Sequence, residues 1–554
     1  MKDQRNDMIS SLFPKAELVN QTEVLDFMHS LPETFAEAVK SLSSNHRYVD
    51  NNVLQNRSRL APFIHKFHSE ADTLHDNIQN QGALLSDPAT MLFVSTHQPN
   101  LFAYGGVFKK VVLLETLKKT IEKHKEGKRI INLFVIIDHD FIDEIWMRRA
   151  QLPSFHHSSG LLQLRFPVNR LKKWQMVCNI PRPRETTLYN WKRDTISWIK
   201  KSSSPSQREK MVDNLNRFWE VVEIAYSKAR SYSDFNSFLM SRIINSIWGY
   251  NTLFVRLSEL SQVFINGFEF LMSSLRIYTG VLRRTEHTFL SQGVSTGVSS
   301  TSYKKAPLWL HCKCGSKAPI SALKERKSVF KGSCMSCREE LTLDLADLQS
   351  QDFSKVISYI SPRAIAIPLL LSRDLEISCY CSGKGGLGYL TYANAISRHL
   401  GIRWPLTLVW ASKDVYQGIA QNQALNAIHM EIPEAEWRLQ KLQLRNKEYG
   451  RKIRDLVVKR TELAKANSSL RGILEDLFQL KEEQRRIRRE IETIEKATRI
   501  LSLSPCIIDY AVNFGMVDTE KQWCRHLLGN GNLAAPVYFN QNCNGEDNKN
   551  MCII

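Results

Sequence analysis

The feature that most constrains the fold is the stretch from Met91 to Asp143, in which two apolar segments flank a helical pattern. The first apolar segment begins at Met91 and ends at Thr96-His97-Gln98-Pro99-Asn100. Apolar residues then recur at helical spacing from Val107 to Glu122, and a second apolar segment, Ile130 to Ile137, leads into Asp138-His139-Asp140. Because a strand, a helix and a strand in this order form a βαβ unit, we predict two parallel strands here.

Polar residues follow both predicted strands. Ligands bind at the edge where the carboxyl ends of parallel strands lie together, so we expect the two loops to converge on one site. The candidates are His97, Asp138 and His139 as catalytic residues, and Gln98, Asn100 and Asp140 as substrate-binding residues. Gly105 and Gly106 would let backbone N–H groups approach an anion at the helix start. Alternatively, each polar cluster is only a helix cap, and Asp-His-Asp could hold a metal or orient its own histidine.

The most specific local motif is Cys312-Lys313-Cys314 followed, after nineteen residues, by Cys334-Met335-Ser336-Cys337. This pattern predicts a zinc ribbon in which Cys312, Cys314, Cys334 and Cys337 bind one structural zinc ion. The first pair is separated by one residue instead of the usual two, so His311 or another residue could replace one cysteine. The ribbon is also basic, which fits either a folding role or contact with nucleic acid; its basic residues are Lys313, Lys317, Lys324, Arg326, Lys327, Lys331 and Arg338.

An α/β pattern resumes after the cysteine motif. Ala364 to Leu371 and Ile377 to Tyr380 are predicted strands, and Pro405 to Trp410 is another. Between them, a glycine turn from Gly383 to Gly388 leads into a predicted helix, Tyr389 to Leu400. A strand, glycine turn and helix in this order can hold a phosphate group, which makes Lys384 and Gly385 substrate-binding candidates. The turn is neither a Walker loop nor a good GxGxxG motif, so it does not by itself specify a nucleotide.

Residues 434–500 predict an antiparallel coiled-coil hairpin. Apolar residues recur at alternating spacings of three and four on both sides of a polar turn, Ala466 to Ser469. Four further apolar residues lie off this seam and could pair two copies of the chain in a homodimer, namely Leu444, Val457, Leu474 and Phe478.

Composition limits the class of protein. The chain has 554 residues, of which 43% are hydrophobic and 24% charged, enough for several domains. Its net charge of +19 fits acidic substrates, nucleic acid or simply a basic surface. Eleven cysteines, four of them in a metal-like pattern, fit a reducing compartment. No apolar run is long enough to span a bilayer, so we expect a cytoplasmic protein without membrane contact.

Three segments resemble, in order and separation, the bacillithiol biosynthesis ligase family, whose members are putative cysteine-adding enzymes. They are THQPNLF from Thr96, DHDF from Asp138, and Ile360-Ser361-Pro362 through Pro368-Leu369 with the later CSGKGGLGY ending at Tyr389. The resemblance implies a Rossmann-like core similar to that of class I aminoacyl-tRNA synthetases. It also implies ligation of an amino acid, cysteine in the family, to the amine of a sugar conjugate. Tyr389 becomes a substrate-binding candidate, and a nucleotide cofactor remains open.

The chain departs from this family at four points. Thr96-His97-Gln98 stands where the family has Gly-Gln-Gln, Gly386 where it has an acidic residue, and Ile367 where it has an arginine. The zinc ribbon is an addition. The alternative function is therefore a non-catalytic or nucleic-acid-associated protein that binds through the basic zinc module and the coiled coil.

The expected fold is a doubly wound, mostly parallel α/β core with a helical insertion, a small zinc ribbon and an antiparallel coiled-coil arm. The predicted segments are 1–85, helical; 86–155, first half of the core; 156–302, mainly helical insertion ending in a flexible loop; 303–345, zinc ribbon; 346–432, second half of the core; 433–500, coiled coil; and 501–554, with a disordered tail from 540.

Overall fold

The computed structural model describes residues 22–44, 49–124, 128–143, 145–169, 172–291, 298, 304–323, 328–345, 356–416, 418–430 and 432–539. At its centre is a parallel sheet of five strands: β1 (Thr90–His97), β2 (Arg129–Ile136), β3 (Leu253–Arg256), β4 (Cys379–Ser382) and β5 (Leu406–Val409). Their order in the sheet is β5-β4-β1-β2-β3. β1 pairs with β2 along its whole length, from Thr90 opposite Arg129 to His97 opposite Ile136. The parallel pairing predicted for these two strands is confirmed.

Both faces of the sheet are buried, which is why its strands read as nearly continuous apolar runs. Phe93 points into one hydrophobic cluster, and its neighbours Leu92 and Val94 point into another on the opposite face. Helix α1 (Gly105–His124) belongs to the first cluster and helix α2 (Leu387–His399) to the second. The crossover from β1 to β2 and the crossover from β4 to β5 therefore cover opposite faces. The predicted mixed α/β architecture is confirmed at this level.

The other elements surround this sheet. Two long helices, α3 (Ile432–Lys465) and α4 (Arg471–Leu501), follow the core. The remaining α-helices of the described residues are Thr22–His29, Phe35–Ser43, Asn51–Ser58, Ala61–Glu70, Asp76–Ala83, Glu185–Ser202, Pro205–Lys228, Tyr232–Ser241, Ile265–Ser273, Leu275–Ser291, Ala366–Asp374, Ile419–Ile428, Ile507–Phe514 and Met516–Gly529. The remaining strands are Arg149–Pro153 with Leu161–Arg165, Leu308–His311 with Lys317–Pro319 and Ile360–Pro362, Ser321–Ala322 with Val329–Ser333 and Glu340–Asp344, and Asp414–Tyr416 with Val537–Phe539.

Two elements differ from the sequence predictions. The predicted strand from Ala364 to Leu371 is wrong, because these residues enter a helix, Ala366–Asp374. The run is apolar on every side and buried, so periodicity could not separate helix from strand, and Pro368 is tolerated because the first helical N–H groups need no intrahelical acceptor. The second difference is β3, a core strand inside the segment predicted to be mainly helical. This strand has only four residues and follows a long run of helices, so its sequence is too short to show a strand pattern.

The region before β1 is joined to the core by a buried arginine. Arg57 lies on helix Asn51–Ser58 and is fully buried. Its guanidinium donates to the carbonyls of Thr90 at 2.9 Å, Leu375 at 2.9 Å and Glu376 at 3.0 Å. One side chain thus connects the start of β1 to the segment that leads into β4.

Helices α3 and α4 form an antiparallel hairpin. Arg438 near the start of α3 pairs with Glu490 late in α4, and Gln484 donates to the Asn446 carbonyl at 3.3 Å. The base of the hairpin packs on helix Ile419–Ile428 through Ile494, Ala497 and other apolar residues. No described helix is long and apolar enough to cross a bilayer. The predicted tail from residue 540 and residues 1–21 lie outside the described part of the chain, as does the loop 292–302 apart from residue 298.

Replacing Arg57 with alanine is expected to lower the free energy of unfolding by about 3 kcal/mol or more, since three buried carbonyls lose a charged donor. Denaturant unfolding measures this loss. Arg59→Ala, an exposed arginine two residues away, is the matched control and should change stability by less than about 0.5 kcal/mol. Equal stability of the two variants would show that the N-terminal helices do not depend on this contact.

Candidate functional site

The candidate site is the crevice at the carboxyl ends of the core strands. The order of the sheet reverses beside β1, so β1 and β4 are neighbours whose connections leave on opposite faces. Open parallel sheets bind ligands at such a point. The loops after β1 and β2 meet there, because Gln98 Nε2 donates to Asp140 Oδ2 at 3.1 Å.

His97, the last residue of β1, is a neutral histidine with a defined tautomer. Its Nδ1 lies 2.9 Å from the Gln98 carbonyl, which can only accept, so Nδ1 carries the proton. Its Nε2 therefore accepts from the Tyr104 hydroxyl at 3.2 Å. Burial, with a contribution from the nearby Lys110, lowers the pKa of His97 to about 3. The side chain thus offers a hydrogen-bond acceptor at neutral pH and carries no charge.

Asp138, at the end of β2, is hydrogen-bonded to Ser258. The fully buried carboxylate accepts from the Ser258 N–H at 2.9 Å and the Ser258 hydroxyl at 2.5 Å. Burial raises its pKa to about 6, although the bonds from Ser258 oppose that rise. Ser258 follows β3, so Asp138 connects the ends of two adjacent strands. Sequence reasoning placed Asp138 in the crevice but could not identify this partner, which is 120 residues away.

His139 lies beside a lysine from the cysteine-rich module. Its Nε2 donates to the Pro362 carbonyl at 3.2 Å, while its buried Nδ1 has no hydrogen-bond partner in the described structure. Lys317 donates to the His139 carbonyl at 2.5 Å and lies over the rings of Phe141, at 4.6 Å, and Trp309, at 4.7 Å. Burial lowers the pKa of Lys317 to about 8. Burial and the charge of Lys317 both lower the pKa of His139 well below its usual value.

Asn100 and the two glycines differ in what they offer a ligand. The amide oxygen of Asn100 is buried and lacks a hydrogen-bond partner among the described residues. Gly105 donates its N–H to the Pro505 carbonyl at 3.2 Å, so that group is already bound. A Cβ at Gly105 would lie 2.8 Å from the Tyr510 ring, and one at Gly106 would lie 2.8 Å from the Tyr104 ring. Close packing against tyrosines explains both glycines without an anion.

The glycine turn after β4 places lysines at the other side of the crevice. Lys384 is exposed at the turn, and its pKa is lowered by partial burial and by the charges of Lys413 and Lys109. Gly385 has open space around its Cα, whereas a side chain at Gly386 would collide with the Ser382 hydroxyl. A side chain at Gly386 would therefore require the Ser382 hydroxyl to rotate away. Tyr389 lies in the first turn of α2, half-buried against the second hydrophobic cluster.

Sequence reasoning missed two buried lysines on α1. Lys110 donates to the Thr96 carbonyl at 2.9 Å, and burial lowers its pKa to about 8. Lys109 pairs with Asp414 at 2.7 Å and lies 4.7 Å from the Trp410 ring centre. The sequence did contain a signal for them, because two adjacent lysines stand in an otherwise apolar part of the helix. At least one of two such neighbours must then face the core.

The four predicted metal ligands come together. The sulfur atoms of Cys312, Cys314, Cys334 and Cys337 all lie within 4.8 Å of one another. Two sulfur pairs are 3.5 Å apart, close to the edge of about 3.8 Å expected for four thiolates around a tetrahedral zinc ion. The donor set and spacing can therefore hold a metal ion. His311 instead bonds the Ser361 hydroxyl at 2.9 Å and does not replace a cysteine.

The module that carries these cysteines is docked on the core. Gly315, in the turn between the first two strands of the module, accepts from the Met176 N–H at 3.1 Å and from Asn179 Nδ2 at 3.1 Å. Its strand Leu308–His311 pairs with Ile360–Pro362 from the segment predicted to belong to the core. Lys317 is buried and Lys331 pairs with Glu340, whereas Lys313 and Arg338 are exposed. Lys324, Arg326 and Lys327 lie outside the described residues.

Comparison with known proteins does not identify this chain. No protein-family model matches the sequence, and no curated protein gives a significant match. The likeness to the bacillithiol ligase family thus remains a prediction from short motifs.

Purified protein is expected to carry about one metal ion per chain, zinc by the preference of four thiolates, and Cys334→Ser should lose it. Elemental analysis measures the metal content. Cys524→Ser, which changes a cysteine outside the cluster, is the matched control and should keep the metal. If a variant in which all four clustered cysteines are replaced still carried about one metal ion per chain, the assignment would be contradicted.

Proposed function

We propose that this chain is a carbon–nitrogen ligase with a Rossmann-like core, similar to bacillithiol synthase, that joins an amino acid to the amine of a small acidic conjugate. The strand order β3-β2-β1-β4-β5 is the order of the classic dinucleotide-binding sheet, which supports a nucleotide or other phosphate-bearing ligand in the crevice. The observation that carries the proposal is the neutral His97 at the end of β1, beside the place where the two polar loops meet.

The chemistry requires an amine that is neutral when it attacks. Its nitrogen lone pair bonds to the acyl carbon, the leaving group departs with the electron pair of its own bond, and the amine gives up a proton. His97 Nε2 now accepts from the Tyr104 hydroxyl, and an N–H of the bound amine would take the place of that hydroxyl. Because its pKa is near 3, His97 would orient the attacking amine without taking up that proton, which leaves with the departing group or passes to water.

Anionic groups of the substrates have cationic partners nearby. Lys384 is exposed at the turn after β4, and Lys413 and Lys109 are close enough to lower its pKa. Lys110 is buried one residue along α1 from Lys109. A carboxylate or phosphate in this region would lower the repulsion among these lysines, so its binding is favoured. The net charge of +19 adds a general attraction for acidic molecules.

The alternative, nucleic-acid binding through the cysteine-rich module, has weaker support. Of its basic residues, Lys317 is directed into the core and Lys331 is paired with Glu340. The module therefore uses part of its charge within the protein. Bound zinc would be held by the four cysteines and would fix the turn that docks on Asn179.

The ligase proposal is tested by incubating the protein with cysteine and a metabolite extract, with and without ATP. Mass spectrometry should detect a product equal to an acceptor plus cysteine minus water. His97→Ala should lower the rate by about 100-fold, as expected when a group that orients the attacking amine is lost. The matched control is His124→Ala, which removes an exposed histidine at the end of α1 and should leave the rate unchanged. Lack of any such product from the wild-type protein, in either arm, would contradict the function.

We also infer that α3 and α4 form a coiled coil that pairs two copies of the chain. Leu442, Ile473, Leu477 and Ile487 are buried between the two helices of the hairpin. Outside this seam, Leu444, Leu474 and Phe478 have exposed side-chain fractions of 62%, 48% and 67%, while Val457 is half-buried. Leu474 and Phe478 also line a groove near the hairpin tip. Exposed apolar residues on both helices of a hairpin can form a contact between two copies of a chain.

We expect the wild-type protein to be a dimer in solution, as measured by light scattering. Leu474→Glu combined with Phe478→Glu should shift it to a monomer, because two charges would be buried in the contact. Gln440→Glu, at an exposed position near the start of the hairpin, is the control and should remain dimeric. A monomeric wild-type protein at all concentrations would rule out this contact.

A further inference from the structure

A second concave site lies away from the crevice, between a two-stranded hairpin and a helix. The strands Arg149–Pro153 and Leu161–Arg165 form one wall, and helix Glu185–Ser202 forms the other. The cavity has a volume of about 700 Å³, within the range of roughly 300–1,000 Å³ typical of small-molecule sites. The helix contributes Thr187, Asn190, Trp191 and Asp194, whose spacing places them on one helical face. None of the crevice residues named above lines this cavity.

Three arginines line the cavity, and two of them are held directly opposite each other. Arg149 pairs with Arg165 in the antiparallel ladder, an arrangement that is unfavourable for like charges. Arg148 precedes Arg149 and accepts a bond at its carbonyl from the Phe166 N–H, at 2.8 Å. Partial burial, and then the charge of Arg165, lower the pKa of Arg149. The repulsion among these positive charges therefore lowers the stability of the fold, and a bound anion would reduce that repulsion.

Two of these arginines have a hydrogen-bond donor that is unused within the described structure. The Nε atoms of Arg148 and Arg149 are buried and have no hydrogen-bond partner in the described structure. Among the described residues of the lining, Asp194 is the carboxylate, and it already pairs with Arg193 at 3.3 Å. Arg165 bonds Gln163 on its own strand, which holds its guanidinium in a fixed direction. A buried donor without an acceptor is unfavourable, and the described lining sets three arginines against one carboxylate.

We propose that this cavity is a binding site for a small organic phosphate, with Arg148, Arg149 and Arg165 as its anion-binding residues. Guanidinium groups bind phosphate oxygens in pairs of parallel hydrogen bonds, and three of them match a group with several negative charges better than one carboxylate. The apolar part of the ligand would rest on Phe166, Pro167 and Val168.

A backbone hydrogen bond connects the arginine wall of the cavity to the loop after β1. The carbonyl of Met147, just before the first arginine, accepts from the Leu101 N–H at 2.8 Å and from the Tyr232 hydroxyl at 2.8 Å. Leu101 follows Asn100, so the arginine wall is directly bonded to the loop that carries the candidate catalytic histidine. The site is therefore placed to serve a second substrate or an effector of the crevice, while its own binding depends on different residues.

The test is calorimetric titration with inorganic pyrophosphate at constant ionic strength. Arg149→Gln should weaken binding to this site by about ten-fold or more, because a charge-assisted pair of hydrogen bonds is lost. Arg165→Gln, an exposed position, should do the same and serves as a second variant if Arg149→Gln fails to fold. The matched control is Arg217→Gln on the neighbouring helix Pro205–Lys228, which removes the same charge from an exposed side chain outside the lining.

Lys384→Gln separates this site from the crevice. Binding that survives Lys384→Gln and is lost in Arg149→Gln and Arg165→Gln places pyrophosphate in the arginine cavity. Binding that is lost in Lys384→Gln and retained in both arginine variants would place it in the crevice and overturn the proposal. The proposal would also be overturned if the wild-type protein bound no pyrophosphate. It would likewise be overturned if the arginine variants bound pyrophosphate normally and lost only the binding of a single-stranded oligonucleotide.

Discussion

The first core strand lies in the middle of the five-stranded sheet, where it is paired on both sides and buried on both faces. Its two neighbours, β2 and β4, are both parallel to it, and a shift of one residue would exchange the side chains of the two hydrophobic faces. Arg57 holds the amino end of the strand through the Thr90 carbonyl, and Lys110 bonds the Thr96 carbonyl near the other end. His97 therefore emerges from a strand whose position is determined at both ends.

That rigidity allows the carboxyl edge to carry groups that reduce stability. His139 Nδ1 and Asn100 Oδ1 are buried without partners in the described structure, and Trp410 Nε1, just after β5, is a third such atom. Lys110 and Lys317 are buried cations whose pKa values are lowered by the loss of water. Each such group is unfavourable by itself, and such groups persist only where the surrounding structure is stable enough to hold them. A ligand in the crevice would supply partners for those of these groups that face it.

The parts of the fold that could be predicted are those with a sequence pattern that extends over many consecutive residues. β1 and β2 are strands of eight residues with apolar runs, α1 has helical periodicity, and the four clustered cysteines come from one recognisable spacing motif. The sequence could not predict β3, which has four residues, or separate helix from strand in the fully apolar run at Ile367. For the site, it could predict that Gln98 and Asp140 would be close, because parallel strands require it. It could not predict Ser258 beside Asp138, since that contact depends on where a later strand joins the sheet.

Lys317 connects the cysteine-rich module to the candidate site, although the four cysteines themselves are not among the candidate catalytic residues. It comes from a strand three residues after Cys314, yet it reaches the carbonyl of His139, 178 residues earlier in the chain. The turn between them bonds Met176 and Asn179, so it cannot move without disturbing the segment that follows β2. Four thiolates brought together by one metal ion would fix that turn. The geometry around His139 therefore depends on the cysteine cluster through backbone contacts and one buried lysine, and a structural metal can control the shape of a crevice that it does not touch.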